Sequence, residues 1–180
     1  MSVLEKFDID LKSMEVDEQV FTFSLDDAFF QELEIQDFNH GLVNAEVKVK
    51  KLAESFELQM HIVGNVTIQC DRCLDDMEQP VEAESKLFVK FGPAYLDEGD
   101  DLVIVPEESG EVNVAWFLYE IVALAIPIQH FHDPGECNEE MMKILEQHLG
   151  TRFEDNSDIE AEGEEVDPRW NGLKKLLNNN

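Results

Sequence analysis

Between Gly41 and Leu52 apolar and polar residues alternate. Val43, Ala45, Val47 and Val49 share one face of an extended chain, and Glu46, Lys48 and Lys50 share the other. The pattern resumes from Phe56 to Cys70. Phe56, Leu58, Met60, Ile62, Val66, Ile68 and Cys70 fall on one side, and Glu57, Gln59, His61, Asn65, Thr67 and Gln69 on the other. A run this long predicts a half-buried antiparallel strand. Gly64 occupies the one inward place without a side chain and marks an expected bulge or bend. A third run, from Val81 to Phe91, places Val81, Ala83, Leu87, Val89 and Phe91 together. The segment Cys70-Asp71-Arg72-Cys73 is then the tip of a long hairpin, with Cys70 on its buried side.

The flanks read less regularly. Phe7 to Leu11 and Val20 to Phe23 predict short strands. Ser24 and Asp27 form a capping box that opens a helix, with Phe29, Phe30 and Leu33 facing a core. Gly92-Pro93 ends the third long strand, Leu96 to Asp101 is an acidic loop, and Leu102 to Val105 is a brief strand. Asn113 caps a helix from Val114 to Ile126 that is apolar almost all round and stops at Pro127. Asn138 caps another, Glu139 to Leu149, with Gly150 at its end.

These elements predict one α+β domain over residues 1–150. Its centre is an antiparallel sheet or partly closed barrel with long hairpins, packed by a few helices. Residues 151–166 read as a flexible acidic linker, since eight of the fourteen residues from Glu154 to Asp167 are acidic and none is basic. Residues 167–180 read as a short amphipathic helix begun by Asp167-Pro168, with Trp170, Leu173, Leu176 and Leu177 on one stripe.

Charge narrows the function. The chain has 41 acidic and 13 basic residues, a formal net charge of −28. Such a chain repels nucleic acid unless its cations are gathered on one face. Lys48, Lys50 and Lys51 are the only basic cluster in the sheet region. The plain reading of this charge is solubility and a solvated surface; the sharper one is a basic direct partner, such as a ribosomal protein or another cation-rich assembly, with any RNA reached indirectly or within a complex. On that expectation the acidic run steers encounter, Trp170, Leu173 and Leu177 supply an apolar anchor, and Arg72 lies at the contact. The N-terminus is charged within five residues, unlike a signal peptide. Val112 to Ile128 is too short and too polar to span a bilayer. Three cysteines, an odd number, suggest reduced thiols rather than a disulfide framework, so the chain reads as cytoplasmic.

The three cysteines and two of the five histidines occupy two short segments, Cys70-Asp71-Arg72-Cys73 and His130-Phe131-His132-Asp133-Pro134-Gly135-Glu136-Cys137. Thiolate and imidazole are matched ligands for zinc. The candidate set is Cys70, Cys73 and Cys137, with His132 or His130 as the fourth ligand. The second segment lacks the CxxC spacing of a common half-site, so the spacing by itself predicts well below one zinc per chain. No cofactor other than this candidate zinc is assigned. No G-x-S-x-G, P-loop or G-x-G-x-x-G motif occurs, and no nucleophile, base and orienter can be named, so the chain reads as a non-enzyme. A thioredoxin-type role would place the CxxC at a helix start. Here it joins two antiparallel strands, and Cys70 and Cys73 are expected to lack fast thiol reactivity at low pH.

The segment Cys70-Asp71-Arg72-Cys73-Leu74 after a long strand, the later His132 and Cys137, and the ending Asp167-Pro168-Arg169-Trp170-Asn171-Gly172-Leu173-Lys174-Lys175-Leu176 resemble the YceD family. The likeness covers roughly residues 15–177. The acidic tail resembles the form found in Bacteroidetes. That family, long known only as a domain of unknown function, is linked to accumulation of large-subunit ribosomal RNA through its synthesis, processing or stability. The resemblance therefore implies a ribosome-biogenesis factor, and it falls on Cys70, Arg72, Cys73, His132 and Cys137. The second motif in the family is often richer in cysteine than it is here. The alternative is a zinc-stabilised protein-interaction module with no ribosomal role.

Overall fold

A computed structural model describes residues 3–33, 38, 40–99 and 101–148. The chain divides into one unit over Met1–Ile144 and a second over Leu145–Asn180. Of the second, only the end of the last helix lies among the described residues. The expected acidic linker and C-terminal helix, with Trp170, Leu173 and Leu177, lie outside them.

The three alternating runs form β3 (His40–Lys51), β4 (Phe56–Gln69) and β5 (Asp76–Gly92), joined as antiparallel neighbours. With β2 (Glu18–Leu25), β6 (Leu96–Asp97) and β7 (Leu102–Pro106) they make one six-stranded sheet in the order β2-β3-β4-β5-β7-β6. A separate antiparallel ribbon pairs β1 (Asp8–Asp10) with β8 (Glu111–Asn113). The large sheet is open, with β2 and β6 as its edges, so the barrel alternative does not hold. It is also not wholly antiparallel, because β7 lies parallel to β5, from Phe88↔Leu102 to Gly92↔Pro106.

The register explains the alternation. Ala45, Ile62 and Ala83 stand abreast across β3, β4 and β5, as do Val49, Leu58 and Leu87. Val43, Val47, Val49, Leu58 and Ile62 are fully buried, while the polar members of the same strands face outward. Burying each such side chain contributes about 1.5–3 kcal/mol. Gly64 is not a bulge. The ladder runs through it unbroken, with Val43 on one side and Val81 on the other. A Cβ at Gly64 would sit 2.2 Å from the Leu42 carbonyl oxygen and 2.5 Å from Val43 Cα. The glycine is there because the neighbouring backbone comes too close for any side chain.

The helices are α1 (Asp27–Glu32), α2 (Ala115–Ala125) and α3 (Glu139–His148). Ser24 does not cap α1; it belongs to β2, opposite Asn44. Asp26 is the cap, accepting from Phe29 N–H at 3.1 Å. The strand ladder continues to Leu25↔Val43, which displaces the start of the helix by two residues. The strand expected over Phe7 to Leu11 is present as β1, shortened to Asp8–Asp10, with Phe7 ending a 3-10 turn over Val3–Phe7. Leu96 and Asp97, expected in a loop, make a two-residue edge strand. Asn113 lies in β8 and accepts from Ala115 N–H at 3.0 Å, one residue before the helix cap.

A chain of ring contacts ties the first turn to α1 and α2. Ring centroids lie 4.7 Å apart for Phe7–Phe29, 5.2 Å for Phe29–Phe30, 5.2 Å for Phe30–Phe38 and 5.6 Å for Phe38–Tyr119. Such pairs add about 0.5–1.5 kcal/mol each beyond area burial. They seat α2 on the inner sheet face, where Leu118 and Val122 are fully buried in the same core. That placement sets where the chain emerges after α2.

Candidate functional site

The hairpin tip is a tight turn of its own. Cys70 N–H donates to the Asp75 carbonyl at 2.9 Å, and Leu74 N–H donates to the Cys70 carbonyl at 2.9 Å. Leu74 closes the turn at φ 63°, a left-handed conformation uncommon outside glycine. Cys70 and Cys73 are both buried.

A second segment comes to this turn from the far side of α2. The helix ends at Ala125 ahead of Pro127, and residues 127–138 run back over the hairpin tip. Asp71 N–H donates to the His130 carbonyl at 3.0 Å, and His130 N–H donates to Asp71 Oδ2 at 2.9 Å. Asn138 Nδ2 donates to Asp75 Oδ2 at 3.0 Å, while Asn138 Oδ1 caps α3 by accepting from Glu140 and Met141 N–H. The Arg72 guanidinium lies 4.1 Å above the Phe131 ring. Between these anchors Gly135 takes φ 96° and Glu136 N–H donates to the Asp133 carbonyl at 3.0 Å. This turn folds the His132 to Cys137 segment so that both side chains face the hairpin.

Cys70, Cys73, His132 and Cys137 thus meet. Their donor atoms all lie within 4.8 Å of one another. Cys70 Sγ and Cys137 Sγ are 3.9 Å apart, and Cys73 Sγ and His132 Nδ1 are 3.3 Å apart. His132 Nε2 lies 3.3 Å from the Asp76 carbonyl oxygen, so Nε2–H donates there and Nδ1 is left with its lone pair toward the thiols. Of the two histidines the spacing left open, His130 is not in the cluster. Its Nδ1 faces the Pro127 carbonyl at 3.1 Å and its Nε2 faces Asp71 Oδ1 at 3.5 Å.

The electrostatics follow from this crowding. Burial pushes the Cys70 thiol up, but N–H groups of Cys73, Arg72 and His132, with the His132 ring, outweigh it and bring the thiol down to about 6. His132 is raised above its ordinary value, first by Cys70, with Cys73 and the Asp76 carbonyl adding to this against partial desolvation. The Cys137 thiol is pushed up to about 11, by desolvation first and then by Cys70 and Cys73. Adjacent sulfurs resist bearing charge together. The easily ionised Cys70 is also completely buried, and buried thiols do not meet reagents readily.

The hairpin tip and the following loop carry no sequence signal for the Asp76 carbonyl, because every residue has one. Asn138, read only as a helix cap, does two tasks. Phe131, which packs under Arg72, has only a weak sequence signal, an aromatic residue between two histidines. A cleft of about 760 Å³ adjoins the cluster and includes Cys70 in its lining, with Phe38, Ile68, Asp71, Leu74 and His130. Lys48 and Lys50, which share the outer sheet face, stand beside carboxylates. Lys48 Nζ lies 2.7 Å from Glu18 Oε1, which raises the Lys48 pKa, and Lys50 stands between Glu18 and Glu57 in register.

The model of the family described as "Large ribosomal RNA subunit accumulation protein YceD" matches residues 58–177, about two-thirds of the chain, and the chain belongs to that family. The match contains all four clustered residues. The chain is also similar to the "Uncharacterized protein YlbN" of Bacillus subtilis (strain 168). The two are 29% identical over 133 residues, 74% of this chain and 70% of that relative. No solved structure matches. Among the described residues no helix is long and apolar enough to cross a membrane.

Proposed function

We propose that this chain is a non-enzymatic ribosome-biogenesis factor, acting in the cytoplasm to support the synthesis, processing or stability of large-subunit ribosomal RNA. The observation that carries the reading is membership of the family over residues 58–177. Two further features favour a binding role over catalysis. Cys73 and His132 are paired as a nucleophile and base would be, but Cys73 is buried among two other thiols and offers a substrate no approach. A net charge of −28, with Lys48 held by Glu18, favours a basic protein over bare RNA as the direct partner. In this reading the acidic run 154–167 attracts that partner and Trp170, Leu173 and Leu177 anchor it, with Arg72 at the contact.

The test is a sucrose-gradient profile of cells lacking the protein. Under-accumulated large subunits and a depressed large-to-small ribosomal RNA ratio are expected; a normal profile sinks the reading. At the level of binding, deletion of 154–167 should slow association and flatten its salt dependence, whereas Trp170→Ala should speed dissociation. Submicromolar binding to bare ribosomal RNA, unchanged by loss of residues 154–177, would overturn the partner assignment.

A second reading, a metal-stabilised interaction module without a ribosomal role, is favoured by the cluster of Cys70, Cys73, His132 and Cys137. A normal gradient profile together with a metal-dependent pull-down would support it.

A further inference from the structure

We infer that Cys70, Cys73, Cys137 and His132 Nδ1 form a closed tetrahedral zinc site whose task is to clamp the 127–138 loop onto the tip of the β4–β5 hairpin. Zn–S bonds of about 2.3 Å and Zn–N bonds of about 2.0 Å at tetrahedral angles set two sulfurs about 3.8 Å apart and a sulfur and nitrogen about 3.5 Å apart. The Cys70–Cys137 distance is 3.9 Å and the Cys73–His132 distance 3.3 Å, and no donor pair exceeds 4.8 Å. Closing the widest separations onto a tetrahedral ion therefore takes a change of about 1 Å at most in any sulfur–sulfur distance.

The missing CxxC of the second segment does not weaken this. A CxxC is one way to turn two donors toward one point. Here the turn at Gly135, closed by Glu136 N–H on the Asp133 carbonyl, does the same over a longer spacing. The sequence-based expectation of little zinc rested on that spacing, on there being only three cysteines, and on a second motif poorer in cysteine than is common in the family; His132 supplies the fourth donor instead.

The surrounding groups also suit a metal. A zinc-bound histidine characteristically donates its other ring N–H to a carbonyl or carboxylate, which fixes ring orientation and tautomer. His132 makes that arrangement with the Asp76 carbonyl. Asp71 with His130, and Asp75 with Asn138, hold the two segments together on either side of the cluster, so the donors are assembled by contacts independent of the ion. With four protein ligands no position is open for a substrate or water, which makes the site structural rather than catalytic. Three thiolates and a neutral imidazole around a divalent ion leave one negative charge beside Arg72, whose guanidinium lies over Phe131.

The experiment uses the full chain, reduced, stripped with a chelator and titrated with Co²⁺. We expect saturation at about one Co²⁺ per chain with the intense visible bands and thiolate charge-transfer absorption of a tetrahedral sulfur-rich site, both abolished by about one equivalent of Zn²⁺. Weak six-coordinate absorption, or no saturable binding, would overturn the proposal on the unaltered protein alone, whatever the variants do. Cys70→Ser, Cys137→Ser and His132→Ala should each lower affinity by more than the 10–100-fold that loss of an outer partner brings. His130→Ala should retain the full equivalent and the same spectrum. Metal binding that survives both cysteine substitutions unchanged, or that is lost with His130 and kept without His132, rules out this ligand set. None of these outcomes depends on the ribosomal reading.

Discussion

The central sheet and the clamped hairpin tip are held by different physics. In β3, β4 and β5 most of the alternate residues on one side, among them Val43, Val47, Leu58, Ile62, Val81 and Val89, form a continuous apolar face, so the fold there is spread over many small, redundant contacts. At the tip, residues 70–75 and 127–138 meet through a handful of directed hydrogen bonds, one cation–π contact and four convergent donor atoms. The sheet is expected to fail only globally, because its apolar face is shared. The tip is expected to open locally while the sheet stays intact, since local opening costs only the contacts it breaks.

That contrast can be attacked from both ends. The largest effect should come from Leu58→Ala. Leu58 is fully buried between Val49 and Leu87, and truncation should cost about 2–5 kcal/mol of global stability by urea titration. A loss below about 1 kcal/mol would contradict the core assignment. Next is Gly64→Ala, which forces a Cβ against the Leu42 and Val43 backbone. A loss of about 1–3 kcal/mol is expected, with amide exchange quickening around residues 42–43 and 64. An unaffected variant would show that the strands are not so close.

Asn138→Ala acts on the other region. It removes a helix cap and the contact with Asp75, worth about 1 kcal/mol as a cap. Proteolysis or hydrogen exchange should quicken in residues 127–138 with β4 protection unchanged; uniform loss across the sheet would erase the distinction drawn above. The smallest effect belongs to Arg72 and Phe131. A double-mutant cycle between Arg72→Ala and Phe131→Ala should give a coupling of about 0.5–1 kcal/mol, detectable in loop exchange. Zero coupling would show the two side chains to be independent.

The sheet was legible because its signal is local. Alternation with period 2 assigns each side chain a face without reference to any distant residue, which is why Val43, Leu58, Ile68 and Cys70 all lie on the buried side as read. Gly92-Pro93, Pro127 and Asn138 likewise act within a few residues, and the elements they bound lie where expected. The capping box expected at Ser24 does not form because two local signals compete there, and pairing with Asn44 on another strand decides the outcome.

Four features were settled only by tertiary packing: the open sheet, the parallel placement of β7 beside β5, the role of Gly64, and the choice of His132 over His130. Each depends on where a distant segment lies, and chain spacing does not encode that position. His130 and His132 are two residues apart and chemically identical. Which one joins the cysteines is set by α2, seated on the sheet through Phe38 and Tyr119, and by Asp71, which accepts from the His130 backbone N–H and faces its ring Nε2. The sequence by itself determined which residues could serve as donors and which strand carries two of them to a hairpin tip. The tertiary structure decided which four converge, because convergence depends on the summed packing of segments some sixty residues apart.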